Sequence, residues 1–496
     1  MAIVNTTGGA TGQLVGLDGQ PLYAVDNDDV GFHEEDDSLL DVSPAELWYG
    51  QGSAGEECEG FHSPQKPDRP ALTVADVFRQ FSQEYRSLHG HELTVQQDRV
   101  LRELMICRTE VMGFHRWECD ACGAQVELFN SCNNRHCPTC QAPYRRQWAH
   151  EIQSCLLPVE YYHVMMTAPR PVTLFALANP KTLYPLMLRA GAEAILKLAR
   201  KWKGLKAEIA VLALLHTWGQ LMNAHLHTHQ LVPGGGLSRD GLRWVSMALG
   251  EFLPLDQLQR LFRELFLQEL QKLYRSGKLT FPDQWRAIEA PADFEKWLSP
   301  LAEINWVIRL RSVWDRTGPE DAEAAARTVE YLARYANRVA ISNSRLIAIE
   351  GGQVLFRYKD YKDGDQWKTA SLPGVEFIGR FLLHVLPQRF RHIRRFGFLG
   401  PRVAAQKLEW IRELLGVKKP APADKPSGEN EAQEDAEEIA PQEAPRRCRR
   451  CNRGELVLVA EVPRPTVAEL MQMHPSMEPL ADSGPLQLYL PLSAFL

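Results

Sequence analysis

The sequence predicts an α/β (α+β) protein: a sheet with helices on one or both faces, preceded by a small helical, zinc-binding module. Three observations carry this. A buried strand over 161–167, helical periodicity over 180–201 and adjacent strands over 207–218 and 225–232 make a strand, crossover, strand, strand series. Two CxxC pairs, Cys119/Cys122 and Cys137/Cys140, precede the series with 14 residues between them. One strand of the series carries three histidines on a single face.

Residues 1–70 open the chain as an acidic extension expected to be disordered, with no Lys or Arg and 13 Asp or Glu over 1–65. From Ala71 the pattern turns helical, with Val74, Val77, Phe78 and Phe81 at three- and four-residue spacing. A second helix is expected over Thr94–Cys107, with Leu101, Leu104 and Met105 inward. The two CxxC pairs then have nearly zinc-ribbon spacing, which suits four thiolates around one tetrahedral ion. Cys132, His136 and His115 lie nearby as substitute ligands or supporting groups. Such a closed site does no chemistry; it folds a segment with little core of its own. This module is expected over 71–150.

A helix near 142–153 leads to the 161–167 strand, and a second, larger domain is expected over 158–415. In the run His225-Leu-His227-Thr-His229-Gln-Leu-Val-Pro-Gly-Gly-Gly, alternation puts His225, His227, His229 and Leu231 on one face. Imidazoles at i and i+2 stand about 6–7 Å apart at Cα, a span one divalent ion bridges, whereas His225 and His229 are about 13 Å apart. Further helices are expected over 253–276 and 285–298. Thr317-Gly-Pro319-Glu320-Asp321 reads as a helix start, with proline in the first turn and acids at the positive end of the dipole. That helix carries Tyr331 and Tyr335 at i and i+4 on one face, with Arg334 and Arg338 beside them. Taken alone, two such tyrosines suit packing against a sheet equally well.

Short strands are expected over 339–342, 346–349 and 354–358, then a helix over 373–386. Arg357, Lys359 and Lys362 alternate with tyrosines, a pattern suited to stacking on unpaired bases and to phosphate contact. Arg389, Arg391, Arg394 and Arg395 form the densest basic and aromatic stretch, for which a solvated surface helix is the plain alternative. An acidic Pro/Ala/Glu-rich linker is expected over 416–446, and a tail over 447–496. The tail's Cys448-Arg-Arg-Cys451 is a lone CxxC, completing a second knuckle only if it borrows ligands from elsewhere.

The formal charge of −6 averages unlike segments. Residues 66–415 hold 47 Lys and Arg against 36 Asp and Glu, a basic body that suits a polyanionic partner. No stretch reaches the roughly 20 apolar residues of a membrane span. The N-terminus has no signal-peptide pattern, so the ten cysteines are expected as reduced thiols and metal ligands.

Together, Cys119–Gln141 with its Asn-Arg-His-Cys-Pro core, the His-Thr-His strand running into Leu-Val-Pro-Gly-Gly-Gly-Leu, and Tyr-Leu-Ala-Arg-Tyr-Ala-Asn-Arg-Val-Ala-Ile-Ser-Asn resemble the rolling-circle insertion-sequence transposases. These are the two-tyrosine HUH endonucleases of the insertion sequence ninety-one family. Three motifs in family order make the resemblance specific over roughly 71–400. It implies a central antiparallel sheet flanked by helices. It implies a metal pair at His227 and His229, with Thr228 replacing the usual bulky hydrophobic residue and facing away from the ion. His225 matches a histidine that commonly precedes the pair; it and Asn337 are the candidates for a third ligand. Tyr331 and Tyr335 match the paired nucleophiles. The implied cofactors are Mg2+ or Mn2+ at the histidines and structural Zn2+ at the cysteines.

The implied partner is DNA, chiefly single-stranded or hairpin ends of the protein's own element, in a bacterial cytoplasm. The resemblance also implies a reaction: tyrosine attack leaving a 5′-phosphotyrosine. Three rivals stand beside it: a two-tyrosine replication initiator, a non-catalytic zinc-ribbon DNA-binding regulator, and a zinc hydrolase using His225, His227 and His229. The hydrolase lacks an evident carboxylate base.

Overall fold

The structure is a computed structural model describing residues 72–141, 152, 155–248, 251–313, 339–361, 363–417, 447–448, 450–466 and 469. The acidic extension, most of the 142–153 helix, the two-tyrosine helix and the linker lie outside the described residues. No helix among the described residues is long and apolar enough to cross a membrane.

Two helices open the described chain, α1 (Val74–His89) and α2 (Val95–Ile106). Each starts where Thr-x-x-Asp or Thr-x-x-Gln supplies a reciprocal cap: Thr73 with Asp76, and Thr94 with Gln97. A hairpin follows, β1 (Phe114–Cys119) and β2 (Gln125–Phe129). The chain continues with β3 (Tyr161–Thr167), then α3 (Arg170–Ala178) and α4 (Pro180–Lys201). The next strands are β4 (Ala207–Glu208), β5 (Ala210–Trp218), β6 (Ala224–Pro233), β7 (Gly235–Ser238) and β8 (Trp244–Ser246). Helices α5 (Leu255–Arg275) and α6 (Pro291–Glu303) lead to β9 (Val307–Ser312). The helix expected over 285–298 starts later because Pro291 occupies its first turn.

The central sheet has the order β13-β5-β6-β3-β9, with β13 spanning Ile393–Gly397, and every neighbouring pair is antiparallel. One face packs on α3, α4, α5 and α6 through Val164, Met166, Leu226 and Val232 from the sheet and Phe175, Met187, Phe262 and Trp297 from the helices. Helix α4 comes close because Gly191 lies against Gln230, leaving no room for a Cβ. The other face carries the histidines.

A second core joins distant parts of the sequence. Helices α1 and α2 pack against a three-stranded sheet of β10 (Leu346–Glu350), β11 (Gln353–Asp360) and β12 (Gln366–Pro373), and against α7 (Gly374–Leu382). Phe78 meets Phe381 edge to face at 5.2 Å, and Gln97 Nε2 donates to the Leu382 carbonyl at 3.0 Å. The N-terminal helices therefore share a core with residues 346–382. Residues 339–342 are not a strand, and the basic 389–396 stretch is a turn plus the edge strand β13, not a helix. Strand β13 gains its pairing from β5, which local periodicity does not report. After α8 (Ala404–Leu414), the last strand β14 (Leu456–Val462) pairs with β1.

Candidate metal centre

The histidine face is built by register. In the β5–β6 hairpin His216 stands directly opposite His227, and Leu214 opposite His229. Opposed residues in an antiparallel pair share a face, so His216 joins the two histidines of β6. All three are buried, and one ring nitrogen from each lies within 4.8 Å of the others. Ring centroids are 4.5 Å apart for His216 and His229, and 4.9 Å for His227 and His229. Metal–nitrogen bonds of about 2.0–2.1 Å fit this cluster.

Supporting groups fix which nitrogen faces the ion. His227 Nδ1 lies 3.0 Å from the His225 carbonyl, so it carries the proton and donates, leaving Nε2 with its lone pair. His229 Nδ1 is 2.8 Å from His163 Nε2, from the strand on the other side of β6. Burial lowers His227 to about 3, with His225 adding a smaller repulsion. Burial and the Arg311 guanidinium lower His163 to about 3. Near neutrality His227 is thus uncharged and competent as a ligand.

His225 is outside the cluster. It is buried, lowered to about 4 by desolvation and by Arg309, and its Nε2 meets no hydrogen-bond partner among the described residues. Register also places Arg309 and Arg311 on the histidine face, because Met165 of β3 pairs with Arg309 on one side and His229 on the other, and His163 pairs with Arg311. His216, His163, Arg309 and Arg311 were not singled out from the sequence. Straight counting back from Trp218↔Ala224 would set His216 across from Leu226; a bulge between His216 and Trp218 shifts the register by one and brings it opposite His227.

Tyr331, Arg334, Tyr335, Asn337, Arg338 and Lys362 lie outside the described residues. Of the other basic candidates, Arg357, Arg389 and Arg391 are exposed and Arg394 and Arg395 half-buried. Lys359 is buried, its ammonium 5.9 Å from the Tyr361 ring centre.

The cysteines assemble differently from the single cluster expected of Cys119, Cys122, Cys137 and Cys140. Cys137 and Cys140 meet Cys107 and Cys132, whereas Cys119 and Cys122 meet Cys448 and Cys451. The physical reason is the β1–β2 hairpin, which carries the first CxxC away from the second. In the first tetrad Sγ–Sγ distances are 3.6 Å for Cys107–Cys140 and Cys132–Cys140 and 3.7 Å for Cys107–Cys137. Four sulfurs about 2.3 Å from a tetrahedral zinc stand roughly 3.8 Å apart, so the donor set fits zinc. His136 is not a ligand here: its Nε2 accepts from the Leu386 amide at 3.1 Å, and Nδ1 is 3.1 Å from Asn134 Oδ1.

Comparison with known proteins accords with this arrangement. Residues 77–168 match a family described as "Transposase zinc-binding domain", and residues 210–407 one described as "Putative transposase". The chain is 42% identical over 391 residues to "Putative transposase y4qJ" of Sinorhizobium fredii (strain NBRC 101917 / NGR234), covering 79% of this chain and 96% of that protein. It is 27% identical over 327 residues to "Transposase for insertion sequence element IS801" of Pseudomonas savastanoi pv. phaseolicola, covering 65% of this chain and 75% of that one. No solved structure matches. The first zinc tetrad lies wholly within the zinc-binding match, the histidine triad within the second match, and the chain belongs to the insertion sequence ninety-one (IS91) family of transposases.

Proposed function

We propose that this transposase nicks and rejoins single-stranded DNA through Tyr331 and Tyr335, using a divalent ion held by His216, His227 and His229. The observation that carries the proposal is the buried cluster of three histidines on one sheet face. A Mg2+ or Mn2+ bound there would polarise the scissile phosphate and offset charge in the transition state.

The chain's own groups do the rest. His163 and the His225 carbonyl hold two of the imidazoles in orientation. Arg309 and Arg311 place positive charge on the same face, where a phosphate would lie. A phenol with an ordinary pKa near 10 is protonated at neutral pH and must lose its proton as it attacks. The tyrosine oxygen forms a bond to phosphorus, the bond from phosphorus to the 3′-oxygen breaks, and that oxygen takes up a proton as a 3′-OH. A second 3′-OH reverses the step on the phosphotyrosine and joins strands without a nucleotide cofactor. Two tyrosines one helical turn apart suit two successive attachments, at donor and at target.

The test uses labelled single strands from the DNA flanking the gene, with Mg2+ or Mn2+. The expected result is nicked product and a denaturant-resistant protein–DNA adduct, absent with EDTA. Tight binding to either flank with no cleavage of any strand would instead favour a non-catalytic DNA-binding regulator.

A further inference from the structure

Cys448 and Cys451 lie beyond both matched segments, in a part of the chain to which the proposed reaction assigns nothing. They come to rest on Cys119 and Cys122, more than 320 residues earlier: Cys122–Cys448 is a separation of 326. We propose that these four thiols form a second tetrathiolate zinc site, which staples the C-terminal strand β14 to the N-terminal hairpin.

The sulfur geometry is that of a tetrahedral ion. Sγ–Sγ distances are 3.7 Å for Cys119–Cys451 and 3.8 Å for Cys122–Cys448, near the roughly 3.8 Å edge expected of four zinc-bound sulfurs. The backbones of the two CxxC turns also match each other. In Cys119-Asp-Ala-Cys122-Gly123 the Gly123 amide donates to the Cys119 carbonyl at 2.9 Å. In Cys448-Arg-Arg-Cys451-Asn452 the Asn452 amide donates to the Cys448 carbonyl at 2.8 Å. The fifth residue is left-handed in both, φ +64° at Gly123 and +52° at Asn452, a conformation glycine and asparagine tolerate best. The two CxxC segments thus form a pair of equivalent knuckles facing each other.

Their contact is built closely. Gly454 donates its amide to Cys451 Sγ at 3.4 Å, and a Cβ there would stand 2.5 Å from both Cys119 Sγ and Asp120 Oδ1. Asp120 accepts from the Glu455 amide at 2.8 Å and donates its own amide to the Glu455 carbonyl at 3.0 Å. Strand β14 then runs antiparallel along β1 from Cys119↔Leu456 to Phe114↔Val462. On binding, each thiol gives its proton to solvent and the site carries a net charge of about −2. Arg447, Arg450 and Arg453 within the same short segment offset that charge. Apolar cover is slight: the cluster around Cys119 and Cys448 has only Ala124 and Leu456 as further buried apolar members. Such a segment needs a metal to hold it.

Zinc per chain, measured by elemental analysis of the full-length protein carrying His216→Ala, His227→Ala and His229→Ala, tests the proposal. Two equivalents are expected. Cys448→Ser with Cys451→Ser should remove one, and Cys119→Ser with Cys122→Ser the same one. All four substitutions together should remove no more, and Cys137→Ser with Cys140→Ser should remove the other equivalent. Amides of residues 456–462 should lose hydrogen-exchange protection when Cys119 and Cys122 are replaced. With cysteines intact, cobalt in place of zinc should develop tetrathiolate visible bands up to two equivalents. Saturation of those bands at one equivalent, or full zinc content in the Cys448→Ser, Cys451→Ser protein, overturns it.

Discussion

His216 of β5 stands directly across from His227 of β6, and this pairing adds a third imidazole to His227 and His229, with ring nitrogens close enough together to share one metal ion. The proposed third ligand comes from the neighbouring strand and not from His225, although His225 shares the strand face with the pair. His216→Ala should therefore weaken Mn2+ binding by more than the roughly 10–100-fold typical of losing an outer partner. Calorimetric titration compares it with His225→Ala, which should change affinity much less. Equal losses for the two variants would contradict the assignment.

His163 acts through His229. Its Nε2 lies 2.8 Å from His229 Nδ1, so removing it frees the ligand ring to rotate. His163→Ala should weaken metal binding by about 10–100-fold and raise the metal concentration needed for cleavage, with activity regained at saturating Mn2+. A variant whose cleavage stays low at every metal concentration would point to a different role.

Acid should destabilise the fold. Burial lowers His384 to about 4, and His163 and His227 to about 3, against an ordinary value near 6.5. Between pH 6.5 and about 4 the unfolded chain binds protons that the folded chain refuses, so stability is full above 6.5 and falls with pH. For one such histidine the loss at pH 5 is on the order of 2 kcal/mol. Urea midpoints at pH 7 and pH 5 measure it. His384 is not one of the clustered imidazoles and bonds to Thr217 Oγ1 and the Met222 carbonyl, so His384→Gln should remove its share of the slope.

The helix face of the sheet is equally demanding. Gly191 in α4 lies on Gln230 of β6, one residue along from His229. Gly191→Ala should push the buried Gln230 amide out of its place beside Met166 and Thr228 and cost roughly 1–3 kcal/mol of stability. A thermal melt reads this directly; an unchanged midpoint would mean that the helix moves freely on the sheet.

Much of this was legible in the chain, and what was not has a common cause. Alternation over 225–232 exposed the histidine face, because each residue's side is set by its own strand. Apolar spacing through Val74, Val77, Phe78 and Phe81 marked the first helix for the same local reason. His216 was hidden in the apolar run Ala210–Trp218, where a single histidine reads as core until the hairpin register is known. The grouping of the cysteines depends on pairing of β1 with a strand some 340 residues later, and Cys107 stands alone in sequence. Register between distant segments is a tertiary property, and spacing along the chain does not encode it.

The most direct test of the central claim is where DNA becomes attached. The adduct formed on a flanking single strand with Mn2+ would be digested and its nucleotide-bearing peptide sequenced by mass spectrometry. Attachment at Tyr331 or Tyr335, lost in His216→Ala and His227→Ala proteins, is the predicted result. Attachment at any other side chain, or an adduct indifferent to the loss of both histidines, would contradict it.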